Sequence, residues 1–265
     1  MKTQYFAAPL ALLALSCSVS PSRADISIGG GTGLPLNPTA DVAPRGVVLE
    51  GTYFDFGGLS FLGIELTRQK FYGVRAATNL GDRVELTLGV DKLKASDDFG
   101  LGLDALGKTG LTGGLKLQVL APRGEHNVRV AVGANRNRAL YRNASYYAVA
   151  SFDLGKNQLA GAARTLHLGV RRDRFSAEAV GGARGTETSY FGGIELPLTK
   201  KGAFALVGEI GTDNNNLGQQ GTPYSLSLRY RQPRRGLTAS IGSARQGLTP
   251  NSGLFAQVGF AFGSR

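Results

Sequence analysis

Histidine is the side chain best suited to acid–base chemistry near neutral pH, and the sequence has only His126 and His167. His126 stands at the border between a predicted turn and the next strand, whereas His167 stands in the middle of a predicted strand. A Ser-His-Asp triad assembles in space rather than in sequence, so His167 is the one candidate for hydrolysis of lipid or polysaccharide. We predict no enzyme and no catalytic residue, with His167 as a polar interior side chain.

Oxygen ligands for a metal ion are concentrated in two short stretches. One contains Asp97, Asp98 and Asp104, and the other, residues 213–216, reads Asp-Asn-Asn-Asn. An EF-hand spaces its ligands at fixed positions and closes with a glutamate, which neither stretch provides. Residues 29–33 are rich in glycine but lack the Lys-Ser/Thr of a phosphate-binding loop. We therefore predict no metal ion and no cofactor.

The N-terminus has the features of a secretory signal peptide. Lys2 precedes an apolar run from Phe6 to Leu15, and Ser22-Arg23-Ala24 supplies small residues at a cleavage site. Residues 1–24 are predicted to be removed, although lipidation at Cys17 remains an alternative. Cys17 is the only cysteine, so cleavage after Ala24 leaves a chain without a disulfide or a thiolate site.

From Val47 onward, apolar residues alternate with polar or small ones, which is the period of a β-strand. Leu166, Leu168 and Val170 show the pattern, and no segment shows a convincing helical period. The sequence therefore predicts an all-β protein with candidate strands of about ten residues, the length that crosses a bilayer when tilted. These candidates are residues 47–56, 70–79, 83–93, 113–121, 126–135, 145–154, 163–171, 174–182, 188–197, 202–211, 222–231, 236–245 and 253–262.

The lengths of the connections predict how many of these strands cross a membrane. Outer-membrane barrels have an even number of strands, with short periplasmic turns and longer outer loops. The links alternate consistently only if residues 174–182 belong to one outer loop, 172–187. We predict a closed, antiparallel, transmembrane β-barrel of about twelve strands over residues 47–262. A periplasmic N-terminal segment, residues 25–46, precedes it.

Charged residues of both signs lie on the face opposite the apolar stripe. Burying them in a packed core costs several kcal/mol each unless they are paired, whereas a wet lumen avoids that cost. Ion pairs across the lumen fit this pattern as well as an open pore does. An exported soluble β-sandwich that acts as a binding module is an alternative. The predicted lumen-facing residues are Glu50, Arg75, Glu85, Asp91, Lys116, Arg129, His167, Arg171, Glu195, Glu209 and Arg229.

The net charge of +11 raises the question of an anionic partner. Nucleic acid is not expected for an exported barrel, so we predict contact with outer-membrane lipid, lipopolysaccharide or acidic polysaccharide. Phe260 and Phe262 near the C-terminus are typical of a strand recognised by the barrel-assembly machinery. The basic residues predicted for the outer loops are Arg136, Arg138, Arg142, Arg172 and Arg174.

Short motifs extend over most of residues 38–262, and together they resemble a known family. They are residues 38–46 (PTADVAPRG), 72–75 (YGVR), 80–86 (LGDRVEL), 147–151 (YAVAS), 166–169 (LHLG), 193–198 (GIELPL) and 206–209 (LVGE). The set resembles the YjbH-like bacterial outer-membrane barrel proteins, and the resemblance implies a role in exopolysaccharide secretion. The sequence thus predicts a non-enzymatic barrel in the bacterial outer membrane, acting as a passive channel or as an accessory to polysaccharide export.

Overall fold

Twelve antiparallel strands form one closed barrel in the computed structural model. The structure describes residues 25–28, 31–61, 64–97, 109–121, 128–138, 142–156, 163–177, 183–199, 202–212, 222–232, 235–245 and 252–263. Within these ranges, no helix is long and apolar enough to span a membrane. The strands are β1 Val47–Phe61, β2 Ile64–Leu80, β3 Val84–Asp97, β4 Thr109–Leu120, β5 Val128–Asn137, β6 Arg142–Lys156, β7 Ala163–Ala177, β8 Ala183–Pro197, β9 Phe204–Gly211, β10 Tyr224–Gln232, β11 Leu237–Arg245 and β12 Gly253–Phe262.

Pairing of the first strand with the last closes the barrel. β1 and β12 pair from Val47↔Phe262 to Phe54↔Phe255, and every other strand pairs with its neighbours in sequence. Every strand therefore has a paired neighbour on each side, so the barrel has no edge strand. The predicted closed barrel of about twelve strands is confirmed, and the β-sandwich alternative is wrong. We call the end where β1 begins and β12 ends the terminal end, and the opposite end the distal end.

Several strands extend further toward the distal end than the sequence pattern predicts. β7 continues to Ala177 and β8 begins at Ala183, so the predicted outer loop 172–187 is wrong. The ladder between the two strands runs through this region, with Arg172 opposite Thr188 and Arg174 opposite Thr186. Apolar alternation stops where the outer surface becomes polar, but backbone pairing does not need apolar side chains. The sequence pattern therefore underestimates strand length.

Side chains alternate between the outer surface and the interior along each strand. On β7, Leu168 is 50% exposed on the outside, while Thr165 and His167 point inward and are buried. On β10, Leu226 is exposed and Ser225 and Ser227 are buried. The interior is therefore lined mainly by polar and charged residues, and the outside is mainly apolar.

The N-terminal part of the described chain lies inside the barrel. Residues 25–28 and 31–43, which we call the internal segment, are almost entirely buried. Two isolated bridges, Ile26↔Thr32 and Gly33↔Pro38, fold this segment back on itself. The sequence predicted residues 25–46 to be a periplasmic segment, and the structure instead places most of it among the inward-facing side chains. The predicted signal peptide and Cys17 lie outside the described residues.

Candidate functional site

Both ends of the internal segment lie near the terminal end of the barrel. The backbone N–H of Ala43 donates to Glu85, the second residue of β3, over 2.6 Å. The carboxylate of Asp25 lies 3.0 Å from Arg231, close to the end of β10. The segment therefore forms a loop that enters and returns at the same end, and its removal requires no threading through the barrel.

The middle of the segment reaches deepest into the interior. The N–H of Leu36 donates to Glu209 Oε1 over 2.6 Å. Asn37 Oδ1 accepts a hydrogen bond from Arg171 over 2.8 Å. Glu209 lies on the distal part of β9 and Arg171 near the middle of β7, so the loop extends well beyond the terminal third of the barrel.

Three buried glutamates of the barrel wall accept backbone N–H groups of the segment. Glu85 accepts two of them, one on each carboxylate oxygen, so a single side chain holds both limbs of the loop. A carboxylate is the strongest acceptor available for a backbone N–H because the hydrogen bond is assisted by charge. The bonds are Ile26 N to Glu50 (2.7 Å), Thr32 N to Glu85 (2.7 Å), Ala43 N to Glu85 (2.6 Å) and Leu36 N to Glu209 (2.6 Å).

Cationic and amide side chains of the wall donate to the carbonyl groups of the segment. Lys116 donates to Thr32 O over 2.9 Å and also to Asp41 O, which places it between the two limbs. Further donors are Arg75 to Ser27 O, Arg229 to Gly33 O (3.2 Å), Gln118 to Ala40 O (2.8 Å) and Gln257 to Ile26 O (3.3 Å).

The two carboxylates of the segment form ion pairs with the wall. Asp25 lies 3.2 Å from Arg229 and 3.0 Å from Arg231, and Asp41 lies 3.2 Å from Arg129. These arginines also pair with acids of the wall itself, Arg129 with Asp153 and Arg229 with Glu195. Both carboxylates of the segment therefore have at least one opposite charge within reach, as buried ions require.

This arrangement explains why the interior carries charges of both signs. An irregular backbone presents N–H and C=O groups that no neighbouring strand satisfies, and each buried unpaired group costs about 1–3 kcal/mol. Carboxylates satisfy the N–H groups, and cations satisfy the carbonyls. The inward face therefore carries the acceptors and the donors that the backbone of the internal segment requires.

Apolar contacts fix the segment in one position. Leu34 packs on Gly193 of β8 so closely that a Cβ added to this glycine would lie 2.4 Å from Leu34 Cδ1. Nearer the distal end, the segment covers an apolar part of the wall, where the rings of Phe54 and Phe255 stack with centroids 4.6 Å apart. The residues of this cluster are Ile28, Leu36, Phe54, Phe71, Leu93, Ala244 and Phe255.

A small cavity lies beside the segment near the terminal end. The cavity has a volume of about 10 Å³, which is room for roughly one water molecule. Its lining includes Asp25, Thr39, Glu195, Arg229 and Arg231. With the internal segment in place, this cavity therefore has room for no more than about one water molecule.

Ser151 and His167 lie side by side on β6 and β7. Ser151 Oγ is 2.8 Å from His167 Nδ1, and both residues are buried, with His167 only 1% exposed. The same hydroxyl oxygen accepts the N–H of Ala40 over 3.1 Å. A serine oriented on His167 is what hydrolysis would need, but here the internal segment covers the pair.

The predicted lumen-facing residues surround the internal segment. Eight of them bond to it directly: Glu50, Arg75, Glu85, Lys116, Arg129, Arg171, Glu209 and Arg229. The other three contact side chains that bond to the segment: Asp91 contacts Arg75, Glu195 contacts Arg229, and His167 contacts Ser151.

Sequence reasoning missed Arg231 and Asp153, which belong to the same network. Arg231 is two residues from Arg229 and therefore on the same face, so strict alternation would have included it. Asp25 and Asp41 lie in an irregular segment, where no periodic signal marks them.

The basic residues predicted for outer loops lie on or beside strands. Arg136 belongs to β5, Arg172 and Arg174 belong to β7, and all three are exposed. Arg138 directly follows β5 and is exposed, whereas Arg142 begins β6 and its side chain lies outside the described part. Their placement in loops is thus wrong for four of the five, because the strands extend further than predicted.

An exposed ion pair marks the point where the internal segment joins the barrel wall. The Arg45 guanidinium donates two hydrogen bonds to the carboxylate of Asp82 in the β2–β3 turn. These bonds lower the pKa of Asp82 from its ordinary value. Because both side chains are exposed, we expect this pair to contribute little to stability.

The possible metal ligands noted in the sequence are largely beyond what the structure describes. Asp97 ends β3, while residues 98–108 and 213–221 lie outside the described ranges. Among the described residues, no group of His, Cys, Asp and Glu is arranged to hold a metal ion.

The barrel is similar to solved outer-membrane channels. An outer membrane channel from Pseudomonas putida F1 matches with a TM-score of 0.54 at 14% identity, over 86% of this chain and 100% of that one. The NanC porin matches with a TM-score of 0.50 at 10% identity, over 82% of this chain and 99% of that one. No protein-family model and no curated protein matches the sequence. These likenesses show an outer-membrane porin type of fold, and the YjbH-like resemblance stays a prediction.

Proposed function

We propose that the protein is a non-enzymatic channel of the bacterial outer membrane, closed by its own internal segment. The observation that carries this proposal is the set of buried wall glutamates, Glu50, Glu85 and Glu209, that accept the segment's backbone N–H groups. A wall built only to enclose water would not need to match the donors of a peptide. Opening requires the segment to leave, and water then hydrates the charges that it contacted.

The outer surface supports placement in a membrane. Along β8 and the residue that follows it, the outward residues Tyr190, Ile194, Leu196 and Leu198 form an apolar stretch over eight residue steps. At about 3.4 Å per residue and a tilt of ~40°, this stretch is roughly 20 Å tall along the barrel axis. That height is close to the ~25 Å apolar band of outer-membrane barrels. In water, so many exposed leucines around a barrel would favour aggregation.

The path of the segment supports reversible closure. Both of its ends lie at the terminal end, and it is held by hydrogen bonds, ion pairs and apolar contacts rather than by strand pairing with the wall. In the predicted orientation the terminal end faces the periplasm. The segment can therefore withdraw to the periplasmic side without breaking the barrel.

Single-channel recording in planar bilayers tests the proposal. The comparison is between the full chain and a variant in which residues 26–43 are replaced by a Gly/Ser sequence of the same length. Gly/Ser sequences are flexible and lack the side chains that pack in the interior, so we expect the variant to conduct steadily and the full chain to be mostly closed. Synthetic peptide 25–44, added on the side of the terminal end, should close the variant, and a scrambled peptide should not.

Two results would contradict the proposal. One is a full chain that conducts as strongly as the Gly/Ser variant, because the segment would then not close the pore. The other is a Gly/Ser variant that folds, inserts and still does not conduct. Folding is checked in both proteins by heat-modifiable mobility on gels.

A barrel enzyme is the second candidate, favoured by the contact between Ser151 and His167. Since the internal segment covers both side chains, hydrolysis would require the segment to leave first. The Gly/Ser variant should be assayed on phospholipid and on soluble esters, beside the same variant carrying Ser151→Ala. Hydrolysis that disappears with Ser151→Ala supports the enzyme, and equal background rates argue against it.

The link to polysaccharide export rests on the YjbH-like resemblance. A deletion strain tests it directly: loss of surface polysaccharide, restored by the full chain, would support an accessory role. Normal surface polysaccharide in the deletion strain would argue against the accessory role and would not affect the channel proposal.

A further inference from the structure

Three exposed arginines lie together on the outer surface near the distal end, and the interior network does not involve them. Arg136 on β5 is opposite Ala144 on β6, which is opposite Arg174 on β7. Neighbouring strands are about 4.8 Å apart, so the two arginine backbones are separated by about 10 Å, with a small side chain between them. Arg172 is two residues from Arg174 on the same face, about 7 Å along the strand. We call these three residues the arginine patch.

The patch begins where the apolar band ends. The outward residues of β7 are Leu166, Leu168 and Val170, followed directly by Arg172 and Arg174. Arg172 is the next outward residue after Val170, so no other polar residue separates the arginines from the apolar band on this strand. In a bilayer, this is the depth of the lipid headgroups.

An exposed tyrosine marks the same depth. Tyr146 on β6 is opposite Arg172 and is 59% exposed. Tyrosine favours the membrane interface because its ring is apolar and its hydroxyl is polar. Tyr190 on β8, opposite Val170, is also strongly exposed and lies one row closer to the apolar band.

We propose that the arginine patch binds the phosphate of a phosphorylated outer-leaflet lipid, with its acyl chains along the apolar outer face of β6 and β7. Guanidinium groups bind phosphate in bidentate fashion, and the small side chain of Ala144 leaves space between Arg136 and Arg174 for a phosphate group. The arginines project from the outside of the wall rather than into the interior, which favours a lipid over a translocated or soluble polymer. The proposal rests on the membrane placement proposed above, but not on closure by the internal segment.

Native mass spectrometry of the full chain in detergent tests the site. The probes are lipid A carrying its phosphates and the same lipid A after removal of the phosphates. We expect the wild type to retain the phosphorylated lipid. The triple variant Arg136→Gln, Arg172→Gln, Arg174→Gln should retain about tenfold less, the combined effect of three exposed charge contacts.

The matched control removes three exposed arginines near the terminal end: Arg83→Gln, Arg164→Gln, Arg235→Gln. It loses the same charge, so retention of lipid A at the wild-type level shows that position rather than net charge matters. Heat-modifiable mobility and conductance of all variants are measured in parallel. Loss of lipid with unchanged insertion and conductance therefore separates this site from the channel function.

Three results would overturn the proposal. The first is equal retention of lipid A by the wild type and the arginine-patch variant. The second is equal retention of phosphorylated and dephosphorylated lipid by the wild type, which would indicate acyl contacts alone. The third is patch-dependent binding of polygalacturonate without binding of lipid A, which would assign the surface to an acidic polysaccharide.

Discussion

In the proposed closed channel, Glu85 is the residue whose replacement should cause opening most selectively. Its carboxylate is fully buried and accepts the N–H groups of Thr32 and Ala43, which lie on the two limbs of the internal segment. It also lies 3.1 Å from Lys116, which donates to carbonyls of the same segment. Glu85→Gln keeps the size of the side chain but replaces one acceptor oxygen with an NH2 group. One segment N–H then faces a donor instead of an acceptor.

The size of the effect follows from this lost acceptor. A buried N–H without a partner costs about 1–3 kcal/mol, and the weakened contact with Lys116 adds to that cost. In the open state water hydrates the same groups, so the penalty falls on the closed state alone. A total of about 2–3 kcal/mol corresponds to a roughly 30- to 150-fold shift of the closed–open equilibrium toward the open state.

Single-channel open probability in planar bilayers measures this shift. Asp82→Asn is the control, because it removes one carboxylate charge from the same wall but at an exposed turn, and it should leave the open probability unchanged. The reasoning is refuted if Glu85→Gln stays as closed as the wild type while the Gly/Ser variant conducts. The interior contact of Glu85 would then not hold the segment.

Two further predictions concern the inward face. Gly193→Val should push Leu34 away and increase hydrogen exchange in residues 31–40, measured by mass spectrometry. The control Gly192→Val changes the outer face and should not increase this exchange. Equal exchange in both variants would contradict the packing argument. In the open Gly/Ser variant, Arg129→Glu combined with Arg229→Glu should shift ion preference toward cations in reversal-potential measurements. Unchanged selectivity would remove these two residues from the conduction path.

The barrel itself could be predicted from the sequence because one physical constraint repeats in every strand. Each strand separates an apolar outer face from a polar inner face, and the period of two makes that separation visible in residues such as Leu166, His167 and Leu168. Link lengths then predict an even number of strands. The exact ends of the strands could not be predicted, since β7 continues through Arg172 and Arg174 after the apolar signal has ended.

The internal segment could not be predicted, because it has no period. Its conformation depends on partners that are distant in sequence: Leu36 bonds to Glu209, and Asp25 pairs with Arg229 and Arg231. The signal that was available was indirect. An inward face carrying both acids and bases predicts a partner with both donors and acceptors, and a peptide backbone is such a partner.

The polar and apolar contacts of the segment have different roles in closure. When the segment leaves, water takes its place at each wall charge. Exchanging a hydrogen bond within the protein for one to water changes the free energy of closure by only about 0.5–1.5 kcal/mol per bond. The apolar cluster that includes Ile28, Leu36, Phe54 and Phe255 has no such replacement, since withdrawal of the segment exposes these side chains to water. Each fully exposed side chain of this size costs about 1.5–3 kcal/mol. In the proposed channel, the apolar cluster therefore supplies much of the preference for the closed state. The charges determine the position in which the segment fits, because a shifted register would leave a buried charge or backbone group without a partner.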